Sequence, residues 1–79
     1  MNKAEKRLHE AQTTAQIYTY TQNQIDWEKD RLKWERESKA NFLKDNPEED
    51  VEFYDNEIEK HIVAIEKLEK IAELLLKQM

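Results

Sequence analysis

The chain has 79 residues, of which 39% are charged and 38% hydrophobic, and it carries a formal net charge of −5 with no Cys, no Gly and one Pro. This composition excludes disulfides and thiolate sites, and it argues against a sheet of several strands, because hairpin turns depend on Gly. It indicates one small all-α domain built from long helices, with little interior of its own.

Charge and hydropathy also limit the partners. No apolar run approaches the roughly 18 residues that span a bilayer, and the acid-containing N-terminus does not resemble a secretory signal. An acidic chain is a poor candidate for binding a nucleic-acid backbone, which requires a clustered basic surface. We therefore expect a cytoplasmic protein with no membrane partner and no direct nucleic-acid binding.

The first predicted helix covers about residues 3–44. It is longer than the helix that follows it, so residues 1–10 are expected to project past the end of the second helix or to fray. The stretch Thr13–Thr21 is rich in β-branched and aromatic residues, which are weaker helix formers. A local break within this stretch, which would give three helices, is the alternative.

The first helix carries two apolar stripes, each with a spacing of seven residues. The stripe that is expected to pack on the second helix consists of Tyr18, Ile25 and Leu32. The other stripe consists of Tyr20, Trp27 and Trp34, and it lies roughly 160° away around the helix. Arg31 falls between Trp27 and Trp34 on the same side, where its guanidinium can cover both indoles by cation–π contact.

Three interpretations of the aromatic stripe remain open. The rings could be covered within the chain, they could form the seam of a homo-oligomer, or they could bind a different protein. Trp, Tyr and Arg are the residues most enriched at binding hot spots, and apolar residues on opposite faces of one helix favour coverage from outside. We therefore predict Tyr20, Trp27, Arg31 and Trp34 as partner-binding residues.

A single break separates the two helices, in the sequence KDNPEED from Lys44 to Asp50. Pro47 disfavours helical geometry at Asn46, and Asn followed by Pro is a favourable start for a helix. We predict a turn at 45–46 and a second helix over about 47–77. The alternative is a kinked rod that pairs with another rod as a coiled coil.

The second helix has a heptad pattern. One heptad position is occupied by Val51, Ile58, Ile65, Ala72 and Met79, and the other by Tyr54, His61, Leu68 and Leu75. Further apolar residues flank these rows, so the apolar surface is wider than a two-stranded seam requires. We predict a single domain, 1–79, that folds as an antiparallel helical hairpin of two long helices and self-associates as a homodimer into a four-helix bundle.

An acidic patch is predicted at the start of the second helix. It consists of Glu48, Glu49, Asp50, Glu52 and Asp55. Acids are favoured at a helix N-terminus by the helix dipole, and this is the simplest explanation. An anionic surface for a basic partner, or an imitation of a phosphate backbone, is the second explanation. A cation site of the EF-hand type would require a turn Gly that the chain does not have.

One histidine, His61, falls at a core heptad position, four residues after Glu57. The pair could supply two ligands to a metal, but a second such motif is missing, and a core histidine bonded to a carboxylate is the better explanation. We therefore predict no metal site and no cofactor. The alternating charges of residues 28–39, which include Glu28 and Glu35, are expected to form a solvated face.

We expect no enzymatic activity, because the chain has no Cys nucleophile, no Gly-rich phosphate loop and no Gly-x-Ser-x-Gly elbow. The favoured function is a non-enzymatic protein–protein interaction module, acting as a small regulator, adaptor or inhibitor of one other protein. The alternative is a structural coiled-coil protein whose self-association is its role. A third is an acidic nucleic-acid mimic that binds a nucleic-acid-handling protein.

Overall fold

The structure, a computed structural model, describes residues 2–79 except for the side chains of Leu8 and Ala11. It contains two α-helices, α1 (Lys3–Asp45) and α2 (Glu52–Gln78), and no strand in the part of the chain that it describes. The helices pack antiparallel along one another, so the predicted all-α hairpin is confirmed. Neither described helix has the length and apolar character needed to cross a membrane.

The two arms of the hairpin differ in length. At about 1.5 Å per residue, the 43 residues of α1 span about 64 Å and the 27 residues of α2 about 40 Å. The protein measures 66 × 15 × 14 Å, so α1 alone accounts for its long dimension. Because the loop joins the arms at one end, the N-terminal part of α1 extends past α2.

The projecting part of α1 is helical in the described residues. Asn2 accepts a hydrogen bond from the Glu5 backbone N–H (2.8 Å), and the Glu5 carboxylate accepts one from the Asn2 N–H (3.4 Å). This capping box satisfies N–H groups that a helix start leaves open. Met1, which the predicted projecting segment included, lies outside the described residues. The helix continues through Thr13–Thr21, so the alternative of a break there is wrong.

Burial follows the heptad along both helices. With the letters a and d given to the seam, the a and d residues of α1 from Tyr18 onward and all those of α2 before Met79 are buried or half-buried. In α1, position a is occupied by Tyr18, Ile25, Leu32 and Lys39, and position d by Thr21, Glu28, Glu35 and Phe42. In α2, position a is occupied by Val51, Ile58, Ile65 and Ala72, and position d by Tyr54, His61, Leu68 and Leu75. Ile25, Ile65 and Ala72 are the buried hydrophobic residues.

The second helix begins at Glu52, so the predicted start near 47 is wrong. Asn46 closes α1 instead of opening α2: its backbone N–H and side-chain amide both donate to the Phe42 carbonyl (2.9 and 3.2 Å). Residues 46–51 form the loop, which is longer than the predicted turn at 45–46. Asp50, placed just before α2, accepts a hydrogen bond from the Glu52 N–H (2.9 Å).

Aromatic contacts close the loop end of the hairpin. The Phe42 ring of α1 lies 5.6 Å from the Tyr54 ring of α2, centroid to centroid, and Tyr54 also meets Phe53 edge-on at 5.8 Å. These ring separations are those of favourable aromatic pairs. The Phe42–Tyr54 contact joins the first turn of α2 to the last turns of α1.

Candidate functional site

The aromatic stripe of α1 lies on the outside of the hairpin. Tyr20, Trp27 and Trp34 are 65%, 54% and 53% exposed. The Arg31 guanidinium lies 5.8 Å from the centre of the Trp27 ring and 5.1 Å from that of Trp34. Arg31 therefore spans the two indoles, but it leaves about half of each ring in contact with solvent.

The stripe is part of a larger apolar surface that includes residues of α2. Among the described residues, seven of the ten exposed large hydrophobic side chains occupy heptad positions c and g. They are Ile17, Tyr20, Trp27 and Trp34 of α1 and Phe53, Ile71 and Leu74 of α2. We call this set the aromatic face. A concentration of this kind at two heptad positions is not the scattered exposure that is normal for single surface hydrophobics.

The c and g positions of the two helices lie on one side of the hairpin. On the other side, Lys29 and Glu69, both at heptad position e, form an ion pair at 3.8 Å. Because the e edges of the two antiparallel helices meet there, the g edges meet on the opposite side. The aromatic face therefore lies on one side of the hairpin and includes residues of both helices. On α2, Glu57, Lys60, Ala64 and Lys67 occupy the c and g positions between Phe53 and Ile71.

The opposite side of the hairpin, at positions b and e, is charged. We call it the charged face. Its α2 edge bears Glu52, Asp55, Glu59, Glu66, Glu69 and Glu73, and its α1 edge bears Asp26, Lys29, Lys33 and Arg36. Opposite charges face one another across the seam, as the Lys29–Glu69 pair illustrates. This side of the hairpin matches the solvated surface of an ordinary helix pair.

The predicted acidic patch divides between the loop and the charged face. Glu48, Glu49 and Asp50 lie in the loop, and only Glu52 and Asp55 lie in the first turn of α2. Asp50 bonds the Glu52 N–H, and Asp55 is paired with Lys39 of α1 at 2.5 Å. The structure therefore gives two of the five acids a partner inside the hairpin, and it does not gather the five on one helix end.

A buried cluster of charged residues interrupts the seam. Nδ1 of His61 lies 2.5 Å from a carboxylate oxygen of Glu28, and both side chains are largely buried, with 14% and 16% of their surface exposed. A carboxylate partner for His61 was expected, but it comes from α1 and not from the same helix. The expectation that Glu28 is solvated is wrong.

Glu35 lies in the same part of the seam, one heptad after Glu28. It is 5% exposed, and its Oε2 atom is buried without a hydrogen-bond partner in the described structure. Donor atoms of Glu35, Glu57 and His61 all lie within 4.8 Å of one another. The expectation that Glu35 is solvated is therefore wrong as well. We call Glu28, Glu35, Glu57 and His61 the Glu–His cluster.

Sequence reasoning missed Glu28 and Glu35 because they sit in a run of alternating charges. Their heptad position was the available indication: both are multiples of seven residues from Thr21 and Phe42, which also face α2. Because Glu28 and Glu35 are polar, the hydrophobic pattern of α1 does not show that position d belongs to the seam. Only the pairing with α2 brings Glu35 to Glu57 and His61.

The molecule thus has two unusual features. One is the exposed aromatic face on one side of the hairpin, and the other is the Glu–His cluster in the seam between the helices. No protein-family model, no curated protein and no solved structure matches this chain. Its function has to be inferred from these two features.

Proposed function

We propose that this protein is a non-enzymatic protein-interaction module that works as a homodimer, with the aromatic faces of two copies packed together in a four-helix bundle. The observation that carries the proposal is the collection of seven exposed large hydrophobic residues on one side of the hairpin. In this arrangement the charged faces of the two copies point outward into solvent.

The size of the aromatic face suits a dimer. Two helices side by side are about 20 Å wide, and they overlap over the roughly 40 Å length of α2, so the face offers on the order of 800 Å². A stable interface buries about 800 Å² per partner. The face therefore has the area that a second copy would need to cover.

The thin seam is a second reason for a dimer. Among the described hydrophobic residues, only Ile25, Ile65 and Ala72 are buried in the single hairpin. Helices owe most of their stability in proteins to packing of an apolar face, and a chain of this size has little core to supply it. Packing two aromatic faces together would convert a two-helix pair into a bundle with a second apolar layer.

Three cations, Arg31, Lys60 and Lys67, lie at c and g positions beside the aromatic face. The Arg31 guanidinium is held over the two indoles, and Lys60 is paired with Glu57 at 3.0 Å. Lys60 is therefore compensated within one hairpin, whereas Arg31 and Lys67 keep their charge at the surface. The tips of Arg31 and Lys60 can stay solvated at the rim while their alkyl stems cover apolar surface.

The test is the mass of the protein in solution, measured by sedimentation over a range of concentrations. We expect the wild type to form a dimer and the double variant W27A/W34A to be monomeric, with association weakened at least about 100-fold, because each Trp is a hot spot. The matched control is V63A/L76A, which removes two exposed hydrophobic residues that lie outside the aromatic face. The control should remain dimeric.

Other outcomes separate the competing functions. A wild type that stays monomeric at every concentration contradicts the dimer. The aromatic face would then be the surface by which a regulator, adaptor or inhibitor binds a different protein. A dimer that W27A/W34A does not weaken contradicts the assignment of the seam to this face. Helicity by circular dichroism shows whether each variant is still folded.

A further inference from the structure

We propose that the Glu–His cluster binds one divalent transition-metal ion, such as Zn²⁺, through Glu35 of α1 and Glu57 and His61 of α2. The site lies within one hairpin and links its two helices. It does not depend on the proposed dimer, because both helices come from the same chain.

The first observation in favour of the site is the burial of an unpartnered carboxylate. Glu35 is 5% exposed, and its buried Oε2 atom has no hydrogen-bond partner in the described structure. Of the nearby cations, Arg31 lies over the two indoles, Lys39 pairs with Asp55, and Lys60 pairs with the Glu57 carboxylate at 3.0 Å, so none of these three forms an ion pair with Glu35. A buried charge without a partner is unfavourable, so a cation is the missing component that the geometry points to.

The second observation is the distance between the donor atoms. Donor atoms of Glu35, Glu57 and His61 lie within 4.8 Å of one another. Two ligands of one Zn²⁺ are at most about 4 Å apart, because each lies about 2.1 Å from the ion. Small side-chain rotations would therefore bring all three onto one ion without any movement of the helices.

The third observation is the contact of His61 with Glu28. The Nδ1 atom of His61 is engaged by the Glu28 carboxylate at 2.5 Å, which leaves Nε2 as the ring nitrogen for a metal. A metal-binding histidine is usually held by a carboxylate on its other nitrogen, which orients the ring and raises its basicity. Glu28 is thus a positioning residue for the site and not a ligand.

The donor set determines the class of ion. One imidazole and two carboxylates suit Zn²⁺ and neighbouring divalent transition metals, whereas Ca²⁺ and Mg²⁺ prefer oxygen ligands alone. Three protein ligands would leave one tetrahedral position for water. The ion would also balance the charge of Glu35, since Glu57 is paired with Lys60 and Glu28 with His61, but the Glu35 carboxylate has no such partner. Binding would tie α1 to α2 and stabilise the folded hairpin.

The experiment is a Zn²⁺ titration of the full chain, freed of metal with a chelator and followed by isothermal calorimetry. We expect one Zn²⁺ per chain and a higher melting temperature when Zn²⁺ is added. E35Q and H61Q should each weaken binding at least about 100-fold, and E28Q should weaken it by about 10–100-fold, as loss of an orienting partner does. Gln has nearly the volume of Glu, so E35Q should remain helical.

Two control variants make the result specific to the cluster. E37Q changes an exposed acid of the same helix, and H9Q removes the other histidine, which is exposed in the projecting part of α1. Both should bind Zn²⁺ as the wild type does. Equal losses in H9Q and H61Q, unchanged binding in E35Q, or no stoichiometric Zn²⁺ binding by the wild type would each overturn the proposal. W27A/W34A should keep the site even as a monomer, so the two proposals fail separately.

Discussion

The two broad faces of the hairpin have the same length and the same pair of helices, but they differ in chemistry. The aromatic face bears Tyr20, Trp27 and Trp34 beside the hydrophobic residues of α2. The charged face bears six acids on α2 opposite a mostly basic edge of α1. The charged side chains of the charged face are solvated by water, whereas the aromatic face leaves large apolar rings half-exposed.

The comparison shows where this small protein places its polar and apolar groups. The seam between the helices holds Glu28, Glu35 and His61, and the largest aromatic rings lie outside. A chain that relied on one hairpin alone for its stability would be expected to reverse this distribution. This difference is the basis of both proposals, contact between two copies through the aromatic face and binding of an ion in the Glu–His cluster.

The largest expected effect tests how much the seam between the two helices contributes to the stability of the hairpin. Ile25 is 3% exposed, and I25A should lower the free energy of unfolding by about 3 kcal/mol, because it removes buried methyl groups and leaves a cavity. Urea denaturation followed by circular dichroism measures this. The matched control is I71A on the aromatic face, which should affect mainly the concentration dependence of unfolding. An equal intrinsic loss in both would contradict the difference between seam and face.

The next effect tests whether α2 contributes to the aromatic face. L74E places a charge among its hydrophobic residues and should weaken association by at least about 2 kcal/mol, because the carboxylate would have to be desolvated at the interface. E66K, on the charged face, reverses a charge without touching the aromatic face and should leave the dimer intact. Sedimentation equilibrium measures both. If L74E is as dimeric as the wild type, the aromatic face is limited to α1.

A smaller effect of opposite sign is expected at Glu35. In metal-free protein, E35M should raise the free energy of unfolding by about 1–2 kcal/mol, since an apolar side chain replaces a buried carboxylate that lacks a partner. The exposed control E37M should change it very little. Thermal and urea unfolding in the presence of a chelator give the comparison. A clear loss of stability in E35M would mean that Glu35 stabilises the hairpin without any ion.

The smallest effect is expected on the charged face. Lys29 and Glu69 are 3.8 Å apart with more than half of each side chain exposed, so their coupling should be no more than about 0.5 kcal/mol. A double-mutant cycle of K29A and E69A, repeated at high salt, measures it. A coupling of several kcal/mol would show that this face is buried in the assembly, and it would reverse the assignment of the two faces.

Part of this structure could be predicted from residue spacing. Heptad spacing placed Tyr18, Ile25 and Leu32 toward α2, where they are buried or half-buried, and it placed the aromatic stripe outside. The composition excluded a sheet, and Pro47 located the reversal of the chain. These features are local or periodic, so they follow from helix geometry and backbone restriction alone.

The rest was decided by the way in which the helices meet. Asn46 could cap either helix, and its two hydrogen bonds to the Phe42 carbonyl assign it to the end of α1, while α2 starts at Glu52. The hydrophobic residues at the c and g positions of α1 and α2 came to lie on one side of the hairpin only through the antiparallel pairing of the two helices. Likewise, Glu35 is an ordinary surface acid in the sequence, and it becomes a buried neighbour of Glu57 and His61 only because α2 packs over it. Spacing within one helix determines which residues share a side, but the contacts across the seam depend on the register between two helices.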